Sequence, residues 1–122
     1  MPETSKPLAC ELTDPCLAKV LKISELFRQL DLEVPGQLVS VFCFIASHNP
    51  CHQQAIQEAL GLSANSASRN TDWLSKYHRL GKPGLDLVVK KEDPLNRRRK
   101  IVTLTPKGEQ LVLDIQKIMS LN

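Results

Sequence analysis

Residues 97–100 read Arg-Arg-Arg-Lys. Four consecutive cations repel one another unless a polyanion neutralises them, and guanidinium groups so placed can clamp phosphate or enter a narrow minor groove. Upstream, Ser63, Asn65, Ser66, Ser68 and Arg69 form a second polar group. Short polar side chains let a helix backbone approach base edges in a major groove. A guanidinium there can bond guanine at two points, worth about 1–3 kcal/mol of discrimination. Arg69 is therefore the candidate base reader, and Arg97, Arg98, Arg99 and Lys100 are candidate backbone or minor-groove contacts. Taken singly, each group is equally a solvated face. Their joint spacing, a polar helix followed by a basic hairpin, favours duplex DNA.

The charge distribution agrees. Residues 1–60 hold four Lys/Arg and seven Asp/Glu, whereas residues 61–122 hold twelve and six. An acidic half joined to a basic half is what one face built for an anionic partner produces. At 122 residues the chain fits one domain. No apolar run approaches the ~20 residues of a membrane helix, and the start lacks a secretory pattern, so a cytoplasmic protein is expected.

Other chemistry finds little support. There is no Ser-His-Asp set, paired acidic cluster or Gly-rich phosphate loop, so neither enzyme activity nor a cofactor is expected. His48, Cys51 and His52 match no standard zinc spacing; His52 is expected to contact phosphate or cap a helix. Cys10 and Cys16 have acidic neighbours, Glu11 and Asp14, which disfavour a reactive thiolate. Cys43 lies in the most apolar segment and is expected in the core, as are Trp73 and Tyr77.

Five helices and one hairpin would position these residues. After a loose arm (1–13), Asp14-Pro15 caps and starts a helix over 15–32, because proline's missing N–H is unpaired there anyway. Pro35-Gly36 breaks the chain before a second helix, apolar nearly all round, to about 49. A third helix spans 52–60. Gly61 stops it, Leu62 plugs the turn, and Ser63 caps a fourth helix to about 77. Alternation of Leu85, Leu87 and Val89 predicts a strand over 85–91. Residues 92–98 form the turn and 99–104 the return strand. Thr105-Pro106 starts a last helix to about 121. The fold class is mainly α with a two-stranded β wing, in the order α-α-α-α-β-β-α. The helix-turn-helix covers about 52–78 and the wing about 85–104.

The stretch Asp93-Pro94-Leu95-Asn96-Arg97-Arg98-Arg99-Lys100, followed by Leu104-Thr105 and Gly108, resembles the wing and next helix start of the MarR family, the multiple-antibiotic-resistance regulators. Ala67-Ser68-Arg69 and Leu74 resemble that family's recognition helix, so the likeness covers about 35–115. It implies a winged-helix homodimer that represses transcription at palindromic operators, with Arg97 and Arg98 as wing contacts and Ser68-Arg69 facing the groove. The hydroperoxide sensors of this family place a reactive cysteine near Cys10 and Cys16. Three positions depart from its pattern. Asn96 replaces an Asp that orders the arginines, which implies a looser wing without DNA. Gln57 stands where a small residue is usual, and Asn70 where an apolar one is. Family members commonly add another dimerising helix; here dimerisation falls to helices 15–32 and 106–121, through Leu17, Leu21, Leu111, Ile115 and Ile118. Compact members of this kind are similar to phage and plasmid versions.

The expectation is thus a sequence-specific regulator of transcription that binds double-stranded DNA. Two alternatives stay open at this point. One is a winged helix used for protein–protein contact; the other is a replication or partition factor of a phage or plasmid.

Overall fold

The computed structural model describes residues 11–78 and 80–121; Cys10 and the first ten residues of the expected arm lie outside them. The elements run α1 (Pro15–Leu30), α2 (Gly36–Ser47), β1 (Cys51–His52), α3 (Gln53–Leu60), α4 (Ala64–Leu74), β2 (Val88–Asp93), β3 (Asn96–Leu104) and α5 (Pro106–Met119). This is the expected five-helix winged architecture, with one addition. β1 pairs antiparallel to the far edge of β3, through Cys51 with Val102 and His52 with Ile101, giving a three-stranded sheet in the order β1-β3-β2. A two-residue strand gives no alternation pattern of its own, so only its pairing reveals it. None of the described helices is long and apolar enough to cross a membrane.

The local start and stop signals act as their chemistry requires. Asp14 Oδ1 accepts from the Cys16 and Leu17 amides at 3.0 and 3.1 Å. Ser63 Oγ accepts from the Ser66 amide at 3.1 Å, and Thr105 Oγ1 from the Gly108 amide at 3.0 Å. Each satisfies a donor that a helix start leaves unpaired. Gly61 closes α3 in the left-handed region at φ 66°, where a side chain is costly. Helix α1 ends at Leu30 rather than Leu32, because Asp31 turns to extended backbone.

The core is built on α2. Leu38, Val41, Phe42 and Ile45 are fully buried at the i, i+3, i+4, i+7 spacing of one helical face. Phe42 meets Phe27 of α1 edge-on, with ring centroids 5.7 Å apart. Ile56 of α3, Leu74 of α4 and Val102 of β3 close the cluster. Three expectations fail here. Cys43 is exposed, since the core stripe of α2 leaves its side outside. Tyr77 is 76% exposed, because α4 stops at Leu74 and carries it past the helix, while Trp73 does pack against the core. Leu111, assigned to the dimer surface, is instead buried in the core.

Helix α4 stops early because another segment takes over its carbonyls. The amides of Leu85, Asp86 and Leu87 donate to the carbonyls of Trp73, Ser75 and Leu74 at 2.8, 3.1 and 2.7 Å. Leu85 to Leu87 therefore bond to a helix end and are not strand; β2 begins at Val88. The Leu87 carbonyl in turn accepts from the Thr105 amide at 3.0 Å. A Cβ on Gly108, in the first turn of α5, would collide with that carbonyl. Gly108→Ala is therefore expected to destabilise the fold by about 1–3 kcal/mol through backbone displacement, read as a lower urea midpoint at unchanged slope.

Candidate nucleic-acid interface

Helices α3 and α4 are joined by Gly61-Leu62-Ser63. The Leu62 amide donates to the Gln57 carbonyl at 3.0 Å, and the Leu62 side chain packs against the core. Thr71 Oγ1 of α4 donates to Gln53 Oε1 of α3 at 3.0 Å, fixing the pair across their crossing. Asn70, the unexpected polar residue, is buried at 7% exposure. Its Nδ2 bonds Gln37 Oε1 of α2 and the Ser66 carbonyl, both at 2.8 Å. A buried amide paired in this way ties α4 to α2 at little net cost.

With Ala67, Asn70, Thr71 and Leu74 buried, the outward stripe of α4 runs through Asn65, Arg69 and Asp72 at helical spacing. Asn65 and Arg69 are exposed, Ser66 and Ser68 half-buried, and Ser63 is exposed at the cap. Arg69 borders a pocket with Gln37, Ser66, Asn70, Trp73 and His78, on the α2 side of the stripe. Lys100 borders a second pocket with Asp72, Ser75 and Lys76, on the other side. Lys100 is thus the wing cation that lines a pocket with the end of α4. Asp72, an acid on that stripe, is neutralised by Lys90 of β2, whose Nζ lies 2.8 Å away. Sequence reading missed this pair, because its members lie 18 residues apart with no local motif to link them.

The wing differs from the expected hairpin. Its two-residue turn is Pro94-Leu95, bounded by β2 and β3, so the basic run lies on the return strand and not at the tip. Glu92 pairs with Lys100, but the next pair is Asp93 with Asn96. Arg97, Arg98 and Arg99 therefore fall inside a three-residue bulge, a device that re-aims side chains. All four cations are exposed. Arg98, Arg99 and Lys100 border a groove with Gln53, Gln54 and Gln57 of α3, which places Gln57 toward the wing. Lys100 Nζ approaches Glu92 Oε2 at 3.7 Å. Arg97 and Arg98 make no salt bridge among the described residues.

Two side chains order this hairpin. Asn96 Oδ1 accepts from the Arg98 amide at 3.1 Å, so a neutral residue orders the bulge that the family pattern gives to a carboxylate. Asp93 is buried; its Oδ1 accepts from the Leu95 amide at 2.9 Å, and its Oδ2 lies 3.0 Å from His52 Nε2. Of the two roles expected of His52, the side-chain cap on α3 is not made; its ring bonds to the wing through Asp93. The hydrogen bond from His52 and then that from Leu95 hold the Asp93 carboxyl below the usual carboxylate range. Burial opposes them, and the charges of His52 and Arg99 add to them. A carboxylate whose value is lowered by folding stabilises the fold above its unfolded value of ~3.9 and loses that contribution as pH falls through the folded value. Asp93→Asn is expected to remove this part of the acid dependence. Urea midpoints measured between pH 6 and pH 3 would then fall less steeply than in the unchanged chain.

No family model matches the chain, and no curated protein does. Solved structures do match in shape. MepR from S. aureus, in complex with DNA, aligns at TM-score 0.65 and 21% identity over 85% of this chain and 75% of that one. The transcriptional regulator Tm0710 from Thermotoga maritima aligns at 0.62 and 17%, over 84% of this chain and 65% of that one. A mutant of MarR from E. coli, complexed with operator DNA, aligns at 0.58 and 15%, over 87% and 74%. The order of helices, the helix-turn-helix and the bulged hairpin are together the winged-helix fold of the MarR-like transcriptional regulators.

Proposed function

We propose that this chain is a sequence-specific regulator of transcription, a repressor that binds double-stranded DNA as a homodimer at a palindromic operator in the cytoplasm. The observation that carries the reading is a helix-turn-helix face with basic groups beside both helices: Arg69 on the exposed stripe of α4, Lys100 beside the end of α4, and Arg98 and Arg99 beside α3. A duplex laid along that face meets short polar groups at base edges and guanidinium groups at its backbone. The MepR and mutant MarR structures are DNA complexes, which supports the same use of the fold. In this reading residues 52–78 form the helix-turn-helix, 85–104 the wing, and 15–32 with 106–121 the dimerising helices. Ser63, Asn65, Ser66, Ser68 and Arg69 meet the major groove, while Arg97, Arg98, Arg99 and Lys100 meet phosphate or minor groove.

The dimer reading rests on apolar surface. Leu17, Val20 and Leu21 of α1 are exposed, as are Leu113 and Met119 of α5. Lys19 Nζ donates to the Met119 carbonyl at 3.2 Å, so the two helices lie side by side. A two-fold partner covering this patch would set the recognition helices about 34 Å apart, one turn of duplex.

Selection of binding sites from genomic fragments, followed by salt titration on the recovered duplex, tests the function. Arg69→Ala is expected to lose about 1–3 kcal/mol at one base position and relax the preference there. Arg98→Ala is expected to weaken every duplex and lower the salt slope by about one unit. An unchanged slope and affinity for Arg98→Ala, or failure to retain any duplex, would sink the reading. For the dimer, light scattering is expected to report twice the chain mass, and the Leu17→Glu, Leu21→Glu double variant the single mass.

A further inference from the structure

The most exposed large apolar side chain among the described residues is at the tip of the wing: Leu95, 96% accessible. Isolated surface leucines are ordinary, but this one is held in place. Pro94 before it has its φ fixed by the ring. The Leu95 amide donates to Asp93 Oδ1 at 2.9 Å, and Asp93 is itself bonded to His52 at the start of α3. Beyond it, Asn96 Oδ1 takes the Arg98 amide. An apolar group is therefore presented outward by a turn locked on both sides, two residues before the first of three arginines. Cations draw such a tip to a polyanion, yet an isobutyl group gains nothing from phosphate. Of the apolar surfaces a duplex offers, the thymine methyl groups lie in the major groove, which the reading above gives to α4; the deoxyribose lining of the minor groove, about 6 Å wide, is left for the wing.

We propose that Leu95 is an apolar contact residue of the wing, packing against the deoxyribose walls of the minor groove while Arg97 and Arg98 meet the phosphates on either side. This rests on the DNA-binding reading above and extends it. The tip then supplies affinity that does not depend on salt, since burying an apolar group releases no counterions. The His52–Asp93 bond positions it, because that bond fixes the turn from which Leu95 projects.

Hydroxyl-radical footprinting reads the accessibility of deoxyribose hydrogens directly, and the duplex recovered by site selection is the probe. The unchanged protein is expected to protect short runs of sugars where the wing lies, outside the major-groove contacts. Leu95→Ala is expected to lose those runs, keep the rest of the footprint, and bind about tenfold more weakly with the salt slope unchanged. Leu95→Met, which keeps the apolar length, is expected to bind within about twofold of the unchanged chain. Because the side chain touches no core residue, both variants should keep the original unfolding midpoint. Full affinity and full sugar protection in Leu95→Ala would overturn the proposal and leave the DNA-binding reading standing. So would a weakened Leu95→Ala whose salt slope also drops, since the leucine would then act only by placing the arginines. If the unchanged protein retains no duplex at all, both readings fall.

Discussion

The backbone of Leu87 is the crossing point on which the arrangement depends. Its amide closes the end of α4 through Leu74, and its carbonyl receives Thr105 at the start of α5. Gly108 leaves room for that carbonyl. The Thr105 hydroxyl also donates to the Asp86 carbonyl at 2.7 Å. Three elements distant in sequence are thus joined within one short segment, and β2 departs from it directly. The hairpin therefore leaves the body of the protein at a direction set by the end of α4, so helix and hairpin hold a fixed relation. Buried backbone groups must be paired, and here the pairing that ends the helix also aims the wing.

A second regularity is electrostatic. Three carboxylates near the basic face have partners: Asp72 has Lys90, Asp93 has His52, and Glu92 faces Lys100. The acids are used internally, to fix β2 to α4 and the turn to α3, while the arginines of the bulge point into solvent. Among the described residues, positive charge without a salt-bridge partner is thus left at Arg97 and Arg98. Of the three, the Glu92–Lys100 pair is exposed and adds little stability; the effect of the pairs is on where positive charge is left uncompensated.

The features legible in the sequence were those governed by neighbours a few residues apart. The caps at Asp14, Ser63 and Thr105 and the left-handed Gly61 depend on local backbone chemistry, and each sits where its residue type requires. The apolar stripe of α2 was legible as a buried helix, though not which side would stay open, so Cys43 was misplaced. What escaped was settled at long range. β1 exists only because β3 lies beside it, and His52 reaches across 41 residues to Asp93. Asn70 is satisfied by Gln37, 33 residues away. Alternating Leu85 and Leu87 read as strand because their burial alternates, whereas their amides serve a helix end. The hairpin turn was misplaced for a related reason: charge marked the arginines as its tip, while the proline two residues before Asn96 marked the turn itself.

The bulge at Arg97 to Arg99 sits between two closed rungs of the ladder, Glu92 with Lys100 below and Asp93 with Asn96 above. Side-chain alternation in the rest of the sheet is fixed by the lower rung and is indifferent to how many residues the bulge contains. The chain length between the rungs is accordingly a free variable. Adding or removing a residue there would change the reach of the cationic segment while Ile101 and Val102 kept their present sides of the sheet, so this hairpin can be retuned in span without its root being rebuilt.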